Sequence, residues 1–166
     1  MSDTLRFRLL AAGGHLAISA LIAAAVAVVT LGLWYPGAIG QMAGGRRLFF
    51  LILGVDVVMG PLLTLVVFDK RKPRRELIRD LAVIAALQLA ALSYGLHTLY
   101  VARPVALVHE PGRFRVLSAQ EVQVTDLPNA REEFRHLSLS GPLMLGTRPT
   151  RPDERLESLD LALKGF

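Results

Sequence analysis

The 166-residue sequence contains no cysteine. It can therefore form no disulfide, no thiolate nucleophile, no cysteine-ligated metal site and no lipid-modified cysteine. It also has no phosphate-binding loop, no GxGxxG segment and no G-x-S-x-G motif around a serine. Its four histidines are not in metal-ligand spacing, and His15 lies at the start of an apolar run, where an interfacial role is the simpler interpretation. The residues predict no catalytic, cofactor or metal site, and we expect no enzymatic activity.

Charge is scarce in three long runs, and this scarcity determines the predicted fold class. The chain is 52% hydrophobic with a mean hydropathy of +0.44, and the excess lies in residues 15–35, 48–68 and 81–102. Each run has about the 20 residues that cross a bilayer as a helix. Three buried helices of a soluble bundle would normally keep a polar face, which these runs lack. We predict an α-helical integral membrane protein with three transmembrane helices in residues 1–103 and a small α+β extramembrane tail in 104–166.

The first run follows a basic leader, Arg6 and Arg8, as a secretory signal would. Cleaved signals have apolar cores of about 7 to 15 residues, and this run is longer and ends without a clean small-x-small site. We therefore expect it to remain as a membrane anchor.

The net charge of +5 is concentrated beside the membrane. Six basic residues lie between the second and third runs: Lys70, Arg71, Lys72, Arg74, Arg75 and Arg79. Because positive residues in short loops mark the cytoplasmic side, we predict that this loop and the N-terminus are inside and the tail is outside. Arg46 and Arg47, in the outer loop, oppose this orientation but are fewer. The six side chains predict contact with anionic lipid or a cytoplasmic partner rather than with nucleic acid.

The tail is predicted to contain a hairpin, because apolar-rich runs at 104–109 and 114–118 flank a Pro-Gly pair that favours a type II turn. The alternation of Val122 and Val124 adds a third strand to this prediction. A tail of about 60 residues with few apolar side chains has a small core. We therefore expect it to be stabilised by the membrane, by another protein or by sequence beyond Phe166.

One or two short helices complete the predicted tail, at 128–137 and 153–163. The second has Thr150 and Asp153 in capping-box spacing and Gly165 as its stop. The intervening LSLSGPLMLGTRPTRP segment is expected to be a loop, since Gly and Pro interrupt it.

The segment GVDVVMGPLLTL, residues 54–65, places polar and helix-breaking residues inside an apolar helix. Asp56, Gly60 and Thr64 follow i, i+4, i+8 spacing and share one face, and Pro61 predicts a kink. A carboxylate at the centre of a membrane helix costs about 2.5 to 3.5 kcal/mol, so such groups usually carry a function. We interpret these four residues as a stripe that binds a partner helix, with Gly60 allowing close approach.

A packing role for Asp56 is the alternative. Gln88 and Tyr94 of the third run are its candidate intramembrane polar partners, and Tyr94 is the better donor by depth and reach. In that interpretation Asp56 is protonated or bonded to Tyr94 and fixes helix packing. A third hypothesis makes Asp56 the proton-carrying group of a small proton-coupled transporter or channel, which would need oligomerisation.

Residues 48–124 resemble the type IV pilin accessory protein family (TfpX/TfpZ-like). The resemblance rests on GVDVVMGPLLTL, the KPRREL loop, a third helix with Gln88 and Tyr94-Gly95, and the RPV that opens the tail, with LSLSGP as a looser match. It implies a multi-pass bacterial inner-membrane protein with a periplasmic tail that assists the assembly, stability or dynamics of type IV pili. Type IV pilin is the implied partner, and no cofactor is implied. Relatives are expected to continue beyond the equivalent of Phe166.

Overall fold

The structure, a computed structural model, describes residues 3–110, 112–148 and 151–163. Its first part is helical. The helices are α1 (Asp3–Val29), which continues through a π-helical turn (Thr30–Trp34), α2 (Gly37–Met42), α3 (Gly45–Val67) and α4 (Arg74–Val101). Three of these segments are long and apolar enough to cross a membrane: Asp3–Trp34, Arg47–Val67 and Arg74–Val101. The prediction of three such helices is confirmed.

Two of the long helices begin earlier in the chain than predicted. The first helix begins at Asp3 rather than at residue 15, and the third long helix begins at Arg74 rather than at 81. Hydropathy locates only the apolar part of a helix, whereas the backbone hydrogen bonds continue into its charged ends. Pro73, immediately before α4, has a backbone conformation that is not helical, and the helix begins at the next residue, Arg74.

The central helix of the bundle is α3. Helices α1 and α4 each pack along α3 and make little contact with each other. A cluster of buried apolar residues lies at the end of the bundle from which the tail emerges, and we call it the tail-end cluster: Tyr35, Phe49, Leu53 and Leu99.

Tyr35 is placed in this cluster by the π-helical turn before it. Its backbone N–H donates to the carbonyl of Thr30 at 2.8 Å, and the Thr30 hydroxyl donates to the carbonyl of Val26 at 2.7 Å. The Tyr35 hydroxyl then donates to the carbonyl of Leu99 at 2.9 Å, which ties the end of the first helix to the end of α4. Gly45 lies so close to the Tyr35 ring that a methyl group there would overlap it.

The tail is built on a three-stranded sheet in the order β2-β1-β3, formed by β1 (Pro104–Glu110), β2 (Arg113–Ser118) and β3 (Leu143–Gly146). The antiparallel β1–β2 hairpin confirms the sequence prediction, and Gly112 has the positive φ, 89°, that its turn requires. Strand β3 pairs with β1 in parallel.

Two predictions for the tail were wrong. The third strand is not at Val122 and Val124, because Val124 begins a 3₁₀ turn; it lies instead at β3, inside the segment expected to be a loop. The helix expected at 128–137 is replaced by 3₁₀ turns at Val124–Asn129 and Glu132–Phe134. Residues 128–137 contain two large apolar side chains, Phe134 and Leu137, so that segment has little apolar surface to bury as a helix.

The last predicted helix is present as α5 (Arg155–Leu163), preceded by a 3₁₀ turn at Pro152–Glu154. Glu154 accepts a hydrogen bond from the backbone N–H of Arg151 at 3.1 Å. The predicted roles of Thr150 and Gly165 fall outside the described residues.

Arg103 joins the tail to the bundle. It is 3% exposed, its guanidinium stacks over the Tyr100 ring at 3.9 Å, and it donates to the carbonyls of Tyr100 at 2.7 Å and Ser138 at 3.4 Å. Gly141, with φ 80°, lies against Pro36 at the end of the first helix. The LSLSGP segment therefore contacts the bundle at the tail end.

Candidate functional site

The polar stripe of the central helix faces the interior of the bundle. Asp56 has eleven residues on either side within the 23-residue α3, so it lies at the middle of this helix. Asp56 is partly buried, and Gly60 and Thr64 are buried. Pro61 lies inside α3, and the kink expected there stays a prediction.

Gly60 provides a close approach, and another helix of this chain uses it. The side chain of Gln88, on α4, fills the space beside Gly60, so a Cβ at position 60 would overlap its amide group. The same amide donates through Nε2 to the backbone carbonyl of Asp56 at 3.0 Å. Gln88 is therefore a polar partner of the α3 backbone, and the predicted contact between Gln88 and the Asp56 carboxyl group stays a prediction.

The far end of the stripe contacts the first helix. His15 Nδ1 and Thr64 Oγ1 are 2.6 Å apart. Hydropathy places His15 at the start of the apolar run, which favours an interfacial role. Since α1 begins at Asp3, His15 instead lies more than three turns inside the helix. Gly60 and Thr64 thus contact α4 and α1 of the same chain, and binding of a foreign helix along the whole stripe stays a prediction.

Tyr94 takes no part in this contact, which corrects our preference for it over Gln88. Its side chain is 75% exposed. Gln88 and Tyr94 are six residues apart, a rotation of about 240° around a helix of 3.6 residues per turn, so both cannot face α3.

A cavity of about 180 Å³ lies beside Asp56. Its lining combines four polar and eight apolar residues: His15, Ile18, Ser19, Ile22 and Ala23 of α1, Leu53, Asp56 and Val57 of α3, and Ala85, Gln88, Leu89 and Leu92 of α4. Asp56 Oδ2 is buried here without a hydrogen-bond partner among the residues that the structure describes. No local pattern in the sequence indicates that His15 and Ser19 line this cavity.

The cavity is bordered by exposed side chains of two helices. Ile18 and Ile22 on α1 and Leu89 on α4 line it and are exposed at its rim. Because α1 and α4 meet mainly through α3, these residues flank a cleft between them. We call this cleft, with Asp56 at its floor, the Asp56 cleft.

Several residues of the basic loop make contacts within the chain. Lys70 Nζ lies 3.0 Å from the centroid of the Phe7 ring, and Lys72 Nζ is 2.8 Å from Asp80 Oδ2. Arg79 is more loosely paired with Asp80, at 4.0 Å. Arg74 and Arg75 are exposed at the start of α4, and lipid or cytoplasmic contact by the loop stays a prediction.

Asp69 connects this loop to the first helix. Its carboxylate accepts from the backbone N–H of Arg71 at 3.0 Å and pairs with the Arg8 guanidinium at 3.3 Å. The Arg71 N–H, followed by the charge of Arg8, lowers the pKa of Asp69 below its ordinary value. Asp69 thereby joins the start of the basic loop to the N-terminal part of α1.

Comparison with protein families gives a match at the first helix and its continuation. The model of the family "Fimbrial assembly protein FimB" matches residues 3–44. This is a part of the chain that the resemblance at 48–124 did not use. No solved structure matches the chain.

Three curated relatives from Dichelobacter nodosus are similar over a much larger part of the chain. The fimbrial assembly proteins of serogroup I and serogroup E1 are 39% and 38% identical over 155 residues, which is 93% of this chain and 60% of each relative. The chain thus spans 60% of the length of these two relatives. The fimbrial assembly protein of serogroups C1 and C2 is 40% identical over 118 residues, which is 71% of this chain and 90% of that relative. The chain therefore belongs to the fimbrial assembly protein family.

Proposed function

We propose that this chain is a multi-pass inner-membrane protein that assists type IV fimbrial assembly by binding the membrane helix of a fimbrial subunit, a type IV pilin. The family and the three apolar helices support this role. In the proposal the N-terminus and the basic loop lie in the cytoplasm and the tail lies in the periplasm. The role is one of binding, without a chemical reaction.

The observation that carries the proposal is the Asp56 cleft. Lipid tails are as apolar as leucine, so helices associate in a membrane through close packing and hydrogen bonds rather than through the hydrophobic effect. Gly60 already packs closely against Gln88, and Thr64 is already hydrogen-bonded to His15, so both are used within the bundle. The cleft between α1 and α4 leaves a polar floor and an apolar rim for a helix from outside.

Photocrosslinking in piliated cells tests this arrangement. A photoreactive residue at Ile22 or Leu89, on the rim of the cleft, is expected to capture the fimbrial subunit. Leu21 and Leu87 are matched controls, because they are exposed on the same two helices and do not line the cavity. Equal capture at all four positions would show unspecific proximity and contradict the proposal. Position 60 is unsuitable for a probe because Gln88 fills the space beside it.

Reporter fusions test the orientation separately. A fusion after residue 75 is expected to be active only with a cytoplasmic reporter, and one after residue 140 only with a periplasmic reporter. The opposite pattern would reverse every assignment of side, because the positive loop would then lie outside.

A second candidate function, proton-coupled transport, is favoured by one observation: Asp56 and His15 line the same cavity. It predicts proton flux in liposomes that contain the purified chain, and loss of that flux in Asp56→Asn, because an amide carries no proton. Helix binding predicts no flux in either protein, which separates the two functions.

A further inference from the structure

Asp56 Oδ2 is buried in the middle of the bundle without a donor among the described residues. Two polar side chains that share its cavity have other partners: Gln88 Nε2 donates to the backbone carbonyl of Asp56, and His15 Nδ1 is bonded to Thr64. A buried carboxylate that is left unpaired is strongly unfavourable. An ionised Asp56 therefore lacks a donor within the described part of the chain, and a donor from outside the chain would relieve it.

Membrane lipid is a poor candidate for that donor. Asp56 is at the middle of α3, so eleven residues separate it from each end of the helix. At 1.5 Å per residue this is about 16 Å, which is too deep for a headgroup. A lipid phosphate is also an anion, and a carboxylate would repel it.

A second copy of this chain cannot supply a cation at this depth. The sequence contains no lysine or arginine in residues 9–45, 48–69 or 80–102. The cations of the three long helices are confined to their ends, so no copy can bring an ammonium or guanidinium group to the depth of Asp56. A cationic donor must come from a different protein.

We propose that the Asp56 cleft is a docking site for one cationic side chain, an ammonium or guanidinium group, carried by a partner's membrane helix that lies between α1 and α4. The cavity volume of about 180 Å³ is too small for a helix and holds a single long side chain. Its apolar walls suit the methylene stem of such a side chain while the carboxylate receives the charged end. This inference rests on the proposed function and adds to it the chemical nature of the contact.

Ion pairing explains why the site would select its partner. A cation or a carboxylate alone at the bilayer centre is unfavourable, and pairing relieves both groups. A helix without a cation leaves Asp56 unpaired and gains only packing at Ile18, Ile22 and Leu89. The selectivity thus comes from the charge, and the rim supplies contact area.

Designed single-span peptides are the probe that tests this inference. The full chain is reconstituted in liposomes with a leucine- and alanine-rich helix that carries one central lysine, and association is measured by energy transfer. Matched peptides carry leucine or glutamine at the same position. Because close charge pairs in a desolvated site attract each other strongly, the lysine peptide is expected to bind about tenfold more tightly than either control, which corresponds to about 1.4 kcal/mol.

Asp56→Asn provides the decisive comparison, because it keeps the shape of the side chain and one acceptor but removes the charge. It is expected to abolish the preference for lysine, and its circular dichroism is checked to confirm that it is folded. Equal binding of the lysine and leucine peptides to the unmodified chain would indicate a merely hydrated cavity and overturn the inference. Equal binding of the lysine and glutamine peptides, or a lysine preference that survives in Asp56→Asn, would overturn it as well.

The failure of this inference can be told apart from failure of the proposed function. If the fimbrial subunit still crosslinks to position 22 or 89 in Asp56→Asn as it does in the unmodified chain, the helix-binding function stands and the cationic contact is wrong. If the lysine peptide binds as expected but no fimbrial subunit crosslinks at the rim, the cationic site stands and the proposed partner is wrong.

Discussion

At the tail end of the bundle Tyr35 and Leu99 are 2% and 0% exposed, whereas at its middle Asp56 borders a cavity of about 180 Å³. The same helices form both regions, and a glycine of α3 lies in each. Gly45 faces the rigid ring of Tyr35, while Gly60 faces the flexible end of the Gln88 side chain. The comparison indicates that the tail end holds the helices in place, and that the middle has a side chain that can move.

The largest expected effect comes from Gly45→Ala, which tests whether the tail end is as rigid as its packing indicates. The added methyl overlaps the Tyr35 ring. Because the hydroxyl of that ring is hydrogen-bonded to the carbonyl of Leu99, the ring cannot move aside without breaking this bond. We expect a loss of about 3 kcal/mol, the upper end of the usual cost of overpacking. Thermal unfolding in detergent, followed by circular dichroism, measures it.

Gly54→Ala is the control for this prediction. It lies in the same helix, and a Cβ there meets no heavy atom within 4 Å. Alanine is the better helix former, so this variant should be at least as stable as the unmodified chain. If Gly45→Ala unfolds at the same temperature as Gly54→Ala, the tail end is not rigid.

Arg103→Lys is expected to have the next largest effect. It tests whether the tail is held to the tail end of the bundle by Arg103. Lysine keeps the charge but loses the planar group that stacks on Tyr100 and reaches the carbonyls of Tyr100 and Ser138 together. Loss of one charged hydrogen bond costs about 1.5 kcal/mol. Hydrogen exchange should therefore increase around residue 138 and stay unchanged in the middle of α3. An equal increase in both places would contradict the separation of the two regions.

Gly60→Ala should cost less, because the Gln88 side chain can move aside. The expected loss is about 1 kcal/mol, that of the hydrogen bond from Gln88 to the carbonyl of Asp56. In a Gln88→Ala background the same substitution should cost nothing. Unfolding free energies of the two single variants and the double variant form the cycle. Additive effects would mean that the middle of the bundle is as inflexible as its tail end.

Asp69→Asn is expected to have the smallest effect and concerns the opposite end of the bundle. Since the Arg71 N–H and the charge of Arg8 lower the pKa of Asp69, its ionised form stabilises the fold. That contribution is complete above the ordinary carboxyl pKa and is lost as the pH falls below about 4, through the lowered value. The melting temperature should therefore fall less between pH 5 and pH 3 in Asp69→Asn than in the unmodified chain. A fall of the same size in both proteins would contradict this contribution.

The sequence predicted which residues share a face of α3 but not what covers them. The spacing of Asp56, Gly60 and Thr64 follows from helix geometry alone. Their neighbours depend on how α1 and α4 are rotated against α3, which local periodicity in α3 cannot show. One signal was present in α4: Gln88, Leu92, Gly95 and Leu99 follow the spacing of one helix face, and Gly95 indeed lies against Ile52. That pattern would have favoured Gln88 over Tyr94.

The tail shows the same limit. The two strands of the β1–β2 hairpin are adjacent in the sequence, and the residues of the turn between them predict it. Strand β3 is four residues long, is bounded by Pro142 and Thr147, and pairs with a strand that precedes it by more than 30 residues. Glycine and proline around it favoured a loop, because no local pattern reports a distant parallel pairing.

The parallel pairing of β3 also determines the order in which the tail can fold. The hairpin can close soon after α4 emerges during synthesis, since its strands are adjacent. One edge of β1 then stays unpaired until residues 119–146, which include β3, have been made and have folded back. An unpaired strand edge is a template for wrong association, and a long connection slows its closure. The interval before β3 arrives is thus the stage of biogenesis at which the tail is most exposed to aggregation and to proteases.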